Sequence, residues 1–260
     1  MADYVLIRKS RNVISSILHV LLNVLLGVGS VAITVLTGSW IIGLVLVILS
    51  KWRVLAVRPR YWVVNLLSNL TDFIVGASFV FIAYCSGTVW LPIHFVLAIG
   101  YVIWLVFLKP RSTEFAAELQ ALFSVFLGTT ATVMLFASSN AVFMTILCFL
   151  IGFSGMRHIL VQSDENEFGF LTLGTGLIAA EIAWLSNSWL IVYTFGTTGI
   201  MVPQLSVILT TLIFVSSRIF KSGVQHEGKI NFSEIAVPII FSILVVAVLV
   251  IWFSNPIFDI

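Results

Sequence analysis

The sequence predicts an all-α protein, a polytopic transmembrane helix bundle of about nine spans, and three observations predict it. First, 60% of its 260 residues are hydrophobic and 9% are charged, against about half and about a quarter in soluble globular domains. The mean hydropathy is +1.15. Second, apolar stretches of about 20 residues, the length that crosses a hydrocarbon core, recur from end to end. Third, the basic residues fall on one side of the resulting topology. So few charges cannot cover a water-facing surface, which excludes a soluble enzyme, a nucleic-acid binder and a disordered scaffold. The lipid bilayer is the first partner implied.

The stretches lie near 13–35, 39–56, 62–84, 88–108, 114–136, 140–159, 168–185, 189–219 and 235–253. The first follows Arg8, Lys9 and Arg11, outruns a signal-peptide core and lacks a small-x-small cleavage site, so it reads as a retained span. Turn and cap residues separate the others: Thr37-Gly38-Ser39, Ser86-Gly87, Pro110-Arg111-Ser112, Ser138-Ser139-Asn140 and Ser186-Asn187-Ser188. The loops are too short for a soluble domain, so 1–260 reads as one transmembrane domain. No internal repeat aligns.

With the N-terminus cytoplasmic, the inside segments are 1–12, 51–61, 109–113, 157–167 and 218–234. They hold all 13 lysines and arginines of the chain, as the positive-inside rule requires. Dropping one span would break the alternation downstream. The expected topology is therefore nine spans, N-terminus inside and C-terminus outside, in a plasma membrane of bacterial type. Trp40, Trp90, Trp184, Trp189 and Trp252 fall near outer ends and Trp52 and Trp62 near inner ends, where interfacial anchors belong.

Most of the 11 acids sit in loops, chain ends or helix starts. Glu114 and Glu118 open the fifth span, where the helix dipole favours negative charge. Asp72 and Glu181 remain at depth, where an ionisable group costs about 2.5–3.5 kcal/mol on insertion scales. On a continuous third span, Asn65, Ser68, Asn69 and Asp72 recur at intervals of three and four and share one face. Asp72 would then lie about 16 Å above Tyr61, near mid-bilayer. Such a stripe suits a water-accessible half-path or a cation site; it suits interhelical hydrogen bonding equally well. Glu181 reads as a proton carrier or counter-ion, or as a carboxylate bonded at the outer interface. His19 and Asn23 share a face of the first span, and His19 is a candidate neighbour of Asp72.

The eighth stretch is too long for one helix crossing about 30 Å of hydrocarbon. Gly196-Thr197-Thr198-Gly199 and Pro203-Gln204 mark a break. The break is either a discontinuous helix exposing backbone at a substrate site, or an interfacial helix over about 187–196 followed by a span from about 201.

Familiar motifs fail on context. Gly152-Phe153-Ser154-Gly155 resembles the GxSG of rhomboid proteases, but Ser154 falls at a cytoplasmic end. Pro203-Gln204 resembles the PQ-loop transporters, which carry two copies on seven spans. No lysine lies mid-span for a retinal Schiff base, and no HExxH or Walker loop occurs. Cys85 and Cys148 support neither a disulfide framework nor a metal cluster, so no metal, cofactor or catalytic set is expected. The stretch from Lys51 to Trp62 with Asn65, Asn69 and Asp72, and Ala183 to Trp189 before Pro203-Gln204, resembles uncharacterised multi-span proteins of Saccharibacteria-type candidate-phylum bacteria. That resemblance implies no activity.

Two functions follow as expectations. The first is a transporter for a small solute or ion, proton-coupled through Asp72, with Asn65, Ser68, Asn69, Glu181 and Gln204 along the path. The alternative is a non-catalytic scaffold or subunit of a larger membrane complex, whose partner is another membrane protein. A lipid-processing enzyme is disfavoured, since no nucleophile, metal set or paired acids appear.

Overall fold

The computed structural model describes residues 2–87, 91–161, 168–194, 201–226 and 229–252. The chain is mostly helical. Among the described residues six helices are long and apolar enough to cross a membrane: Ser15–Thr37, Glu114–Phe136, Ala141–Leu160, Gly169–Ser186, Gln204–Gln225 and Phe232–Ile251. A bent pair, Pro59–Ser68 with Leu70–Cys85, adds a seventh if it is one span, and Trp40–Ser50 and Pro92–Leu108 are shorter apolar helices. Large apolar side chains cover the outside, from Phe170 (83% exposed) to Val237 (73%). This inversion of a soluble protein's surface fits embedding in lipid.

Helix α1 (Ala2–Thr37) ends at Gly38, whose φ of 61° is the left-handed turn that glycine adopts without Cβ strain. Helix α2 (Trp40–Ser50) folds back against it. A Cβ on Gly43 would overlap the Thr34 hydroxyl, so the two backbones touch where small residues permit it. Where 39–56 reads as one span, α2 stops at Ser50 and Lys51 caps it. The chain then makes a short helix α3 (Trp52–Leu55), a 3-10 turn (Pro59–Tyr61) and helix α4 (Trp62–Ser68).

The continuous third span expected over 62–84 is not what forms. Helix α4 gives way to α5 (Leu70–Cys85) at a 63° bend. At the junction Asn69 leaves helical geometry (φ −103°, ψ 4°), and its side-chain amide donates to the Asn65 carbonyl at 2.9 Å beside its own backbone N–H at 3.2 Å. Asn65, Ser68 and Asn69 therefore sit on a different axis from Asp72, and no single face unites the four.

Helix α6 (Leu91–Ile103) runs into a π turn (Trp104–Leu108), closed by the Lys109 amide donating to the Trp104 carbonyl at 2.8 Å. Helix α7 (Glu114–Phe136) starts under Thr113, whose hydroxyl accepts from the Ala116 amide at 3.2 Å. Helix α8 (Ala141–Leu160) starts under Asn140, which accepts from the amides of Val142 and Phe143. Both are side-chain caps of the ordinary kind.

Helix α9 (Phe168–Ser186) packs against α8. A Cβ on Gly152 would stand 2.6 Å from Ala179 Cβ and 3.3 Å from the Thr175 carbonyl, so the helices meet at backbone distance. Gly152→Leu is expected to force them apart and to destabilise the fold by about 1–3 kcal/mol. Thermal unfolding in mild detergent checks this, with Gly174→Leu, which meets open space, as the control.

The long eighth stretch is broken as expected, and a span long enough to cross the membrane follows it at Gln204–Gln225, but the segment before that span is not an interfacial helix. Val192–Thr194 (β1) and Met201–Pro203 (β2) pair antiparallel, with Val192 opposite Pro203. This hairpin, in place of an interfacial helix, precedes helix α10 (Gln204–Gln225), so the fold is not purely helical. The run Gly196 to Gly199 lies outside the described residues. Helix α11 (Phe232–Trp252) packs on α10.

The core divides between two groups of helices. One cluster, including Val125, Met144, Cys148, Leu205, Leu209 and Ile213, joins α7, α8, α10 and the hairpin. Another, including Val47, Val75, Phe79, Tyr101 and Trp104, joins α2, α5 and α6. Helix α5 also packs on α7 and connects the two groups.

Candidate functional site

Helices α2, α8 and α10 finish, and α5 and α7 begin, at one end of the bundle, here called the basic end. Two charge clusters form there. In the first, the Asp72 carboxylate in the first turn of α5 accepts from the Trp104 indole N–H at 3.0 Å. Its other oxygen pairs with Lys51 Nζ and with Lys109 Nζ, the latter at 2.7 Å. The carboxylate is buried, and Lys51 nearly so.

The π turn explains how α6 supplies two of these partners. Five residues along an α-helix are rotated about 140° apart and face away from each other. With i to i+5 bonding the turn is wider, and Trp104 and Lys109 face the same acid. Trp104 is held in turn by stacking on Phe123 of α7, with ring centroids 5.9 Å apart and planes 12° apart. The Ser124 hydroxyl reaches the Thr71 carbonyl at 3.5 Å. Asp72 thus stands level with residues 121–124 of α7, about 12 Å above Glu114 along the helix.

In the second cluster Glu118, only 3% exposed, receives Arg218 Nη2 at 3.1 Å, Lys221 Nζ at 2.8 Å and the Ser217 hydroxyl at 3.0 Å. Residues 118, 121 and 125 share the inward face of α7 by helical spacing, and that spacing was the available signal that Glu118 points into the bundle. Reading Glu118 as a helix-start residue overlooked it, together with Lys51, Lys109, Trp104, Arg218 and Lys221. Each cluster sets two bases against one acid.

Between them Gln120 joins three segments. Its amide nitrogen donates to the carbonyls of Leu108 at 2.5 Å and Arg111 at 3.0 Å, which tie down the end of the π turn. Its oxygen therefore faces His158, 2.7 Å away, and His158 Nε2 must carry the proton. Gln120→Leu is expected to remove the side-chain partner of the Arg111 carbonyl and of one imidazole N–H, to leave the Leu108 carbonyl with the Arg111 amide alone at 3.2 Å, and to cost about 1–3 kcal/mol, measurable in the same thermal assay. Ser154, the serine of the GxSG-like motif, is buried and shares a hydrogen bond of 3.0 Å with the Thr71 hydroxyl.

The remaining candidates scatter. Asn65 and Ser68 lie on α4, where Ser68 is exposed and bonds the Val64 carbonyl at 2.8 Å. Asn69 lies at the bend. His19 is exposed and faces Asn23 at 3.2 Å; the partners of Asp72 come from Lys51, Lys109 and Trp104 instead. Glu181 is exposed on the flank of α9, in a groove of about 480 Å³ lined by Thr145, Leu177, Ala180, Trp184 and Leu185. Thr145 stands nine residues before Ser154 on α8, so Glu181 lies about 13 Å further along the bundle than the Thr71–Ser154 pair. The structure does not bring Glu181 and Asp72 together. Gln204 is buried at the start of α10 beneath the hairpin, where Tyr193 bonds its side chain.

No family model matches the chain, and no curated protein or solved structure matches it. What the site can do rests on its chemistry. Two buried carboxylates, each compensated by bases from other helices, make strong cross-links. Breaking such a cluster from one side is costly where the partner left behind is buried or nearly so, as both carboxylates and Lys51 are. Among the described residues no group of three histidine, cysteine or acidic side chains is placed to hold a metal ion.

Proposed function

We propose that the chain is a nine-span plasma-membrane protein, N-terminus inside and C-terminus outside, that works as a non-catalytic scaffold or subunit of a membrane complex. The six long apolar helices, the bent pair and the two shorter apolar helices supply nine segments, which supports the span number. The ion pairs join helix ends that the basic-residue pattern assigns to one side, which supports the alternation. The observation that carries the scaffold reading is the compensation of both buried acids. Asp72 and Glu118 are held by two bases each, as structural cross-links are. Glu181, exposed among apolar side chains on a flank, is suited to meet a neighbouring membrane protein. Mass measurement by light scattering after extraction in mild detergent tests this. A complex of defined mass is expected, and a clean monomer would overturn it.

One observation favours the transport reading as a second choice: the helix bend lies three residues from Asp72, where a moving α4 would disturb the ion cluster. Proton or solute flux into proteoliposomes, abolished by Asp72→Asn in a protein that still folds, would establish that reading in place of the first.

A further inference from the structure

The segment between α2 and α5 has a chemistry unlike the rest of the surface. From Asp3 to Asp72 the chain contains no acidic residue, while Lys51, Arg53, Arg58 and Arg60 fall within ten positions. Arg58 and Arg60 are exposed on the 3-10 turn. That turn is shaped by the Trp62 indole N–H donating to the Val57 carbonyl at 3.0 Å. Arg60 is oriented as well: it donates to the Tyr61 hydroxyl at 2.6 Å and its guanidinium lies 4.6 Å from that ring's centroid. A guanidinium offers five N–H donors in a fixed fork that matches a phosphate, and this single bond leaves others to offer.

Around the arginines the surface is apolar and aromatic. Trp52 is 62% exposed and Val63 66%, and Tyr61, Trp62, Val64 and Leu66 are exposed with them. Helix α4 packs on its neighbours in sequence and turns 63° from α5, so its apolar side is not covered by the bundle. A water-soluble polyanion would meet the arginines and leave those side chains in water. A phospholipid satisfies both, with its phosphate at the arginines and its acyl chains against the tryptophans and valines. We propose that this elbow, residues 52–68, is a binding site for the headgroup of an anionic phospholipid in the leaflet at the basic end. The site is independent of whether the protein is a scaffold or a transporter.

The test uses the full chain reconstituted in phosphatidylcholine bilayers with a trace of spin-labelled phosphatidylglycerol, or spin-labelled phosphatidylcholine for comparison. The fraction of motionally restricted label gives the relative affinity. Wild-type protein is expected to prefer phosphatidylglycerol by about fivefold, the worth of one well-placed surface arginine. R58Q/R60Q is expected to bring the ratio to near one, and R58K/R60K to retain a preference. Lys229→Gln, in the exposed loop before α11, is expected to leave the ratio unchanged. A wild-type ratio near one would overturn the site without any variant. So would an R58Q/R60Q protein with the wild-type ratio, or an equal loss in Lys229→Gln, which would assign the preference to the general field of the basic end.

Discussion

Asp72→Asn is expected to cost the folded protein about 3–5 kcal/mol, the usual penalty for breaking a buried ion pair from one side. The substitution is nearly isosteric, and Asn can still accept from the Trp104 indole, so the loss isolates the charge. It leaves Lys51 and Lys109 facing each other without the carboxylate that both contact. Lys51→Met and Lys109→Met are each expected to cost less, because Asp72 then keeps one base. Unfolding by denaturing detergent, followed by circular dichroism, gives the ordering. Equal costs for all three, or a cost below about 0.5 kcal/mol for Asp72→Asn as at an ordinary surface site, would remove the cross-link from the account. Glu181→Gln provides the comparison: it is exposed on α9 and is expected to change stability by less than about 0.5 kcal/mol.

Glu118→Gln is expected to cost about 1.5–3 kcal/mol, the range for losing hydrogen bonds to a charged group whose partners Arg218 and Lys221 are partly exposed, with a different local signature. Arg218 and Lys221 come from the last two turns of α10, and Ser217 adds a hydrogen bond from the same helix. Loss of the carboxylate should release that end of α10 from α7. The chain just beyond is tied through Ser222, which accepts from the Asn231 amide at 3.1 Å and reaches Glu234 at 3.4 Å. Tryptic cleavage after Lys229 is therefore expected to accelerate in Glu118→Gln and to stay at the wild-type rate in Asp72→Asn under native conditions. Equal rates in wild type and Glu118→Gln would contradict the role given to this cluster.

Hydropathy read the long helices well. The stretches 114–136, 140–159 and 168–185 correspond to Glu114–Phe136, Ala141–Leu160 and Phe168–Ser186, because caps such as Thr113 and Asn140 mark where apolar runs become helix. The departures occur where the apolar pattern carries no information about the backbone path. Asn69 looks like one member of a polar stripe until its amide bonds Asn65 and the axis turns. The π turn leaves no compositional trace, since Trp104 to Leu108 is as apolar as any helix, yet it decides that Trp104 and Lys109 reach one acid. The hairpin before α10 was hidden for the same reason: Val192, Met201 and Val202 suit a strand and a membrane helix alike.

The candidate site was legible in part. Depth and charge singled out Asp72, but a linear pattern cannot show which distant lysines meet it. Lys51 and Lys109 read as loop residues satisfying the positive-inside rule, and both turn inward from helix ends. Glu118 reads as a dipole-stabilised helix start, although its spacing with Ala121 and Val125 places it on the buried face. In each case the missing information is the partner, contributed by an element far away in sequence.

The most direct measurement is a double-mutant cycle on Asp72 and Lys51. In wild-type protein Lys51→Met removes a partner of the carboxylate and is expected to destabilise. In the Asp72→Asn background the same change removes a buried amine that has lost its carboxylate and is expected to stabilise. The coupling should exceed about 1.5 kcal/mol, within the range seen for residues in direct contact. Additivity within about 0.5 kcal/mol, with Lys51→Met carrying the same sign in both backgrounds, would contradict a structural cross-link at Asp72.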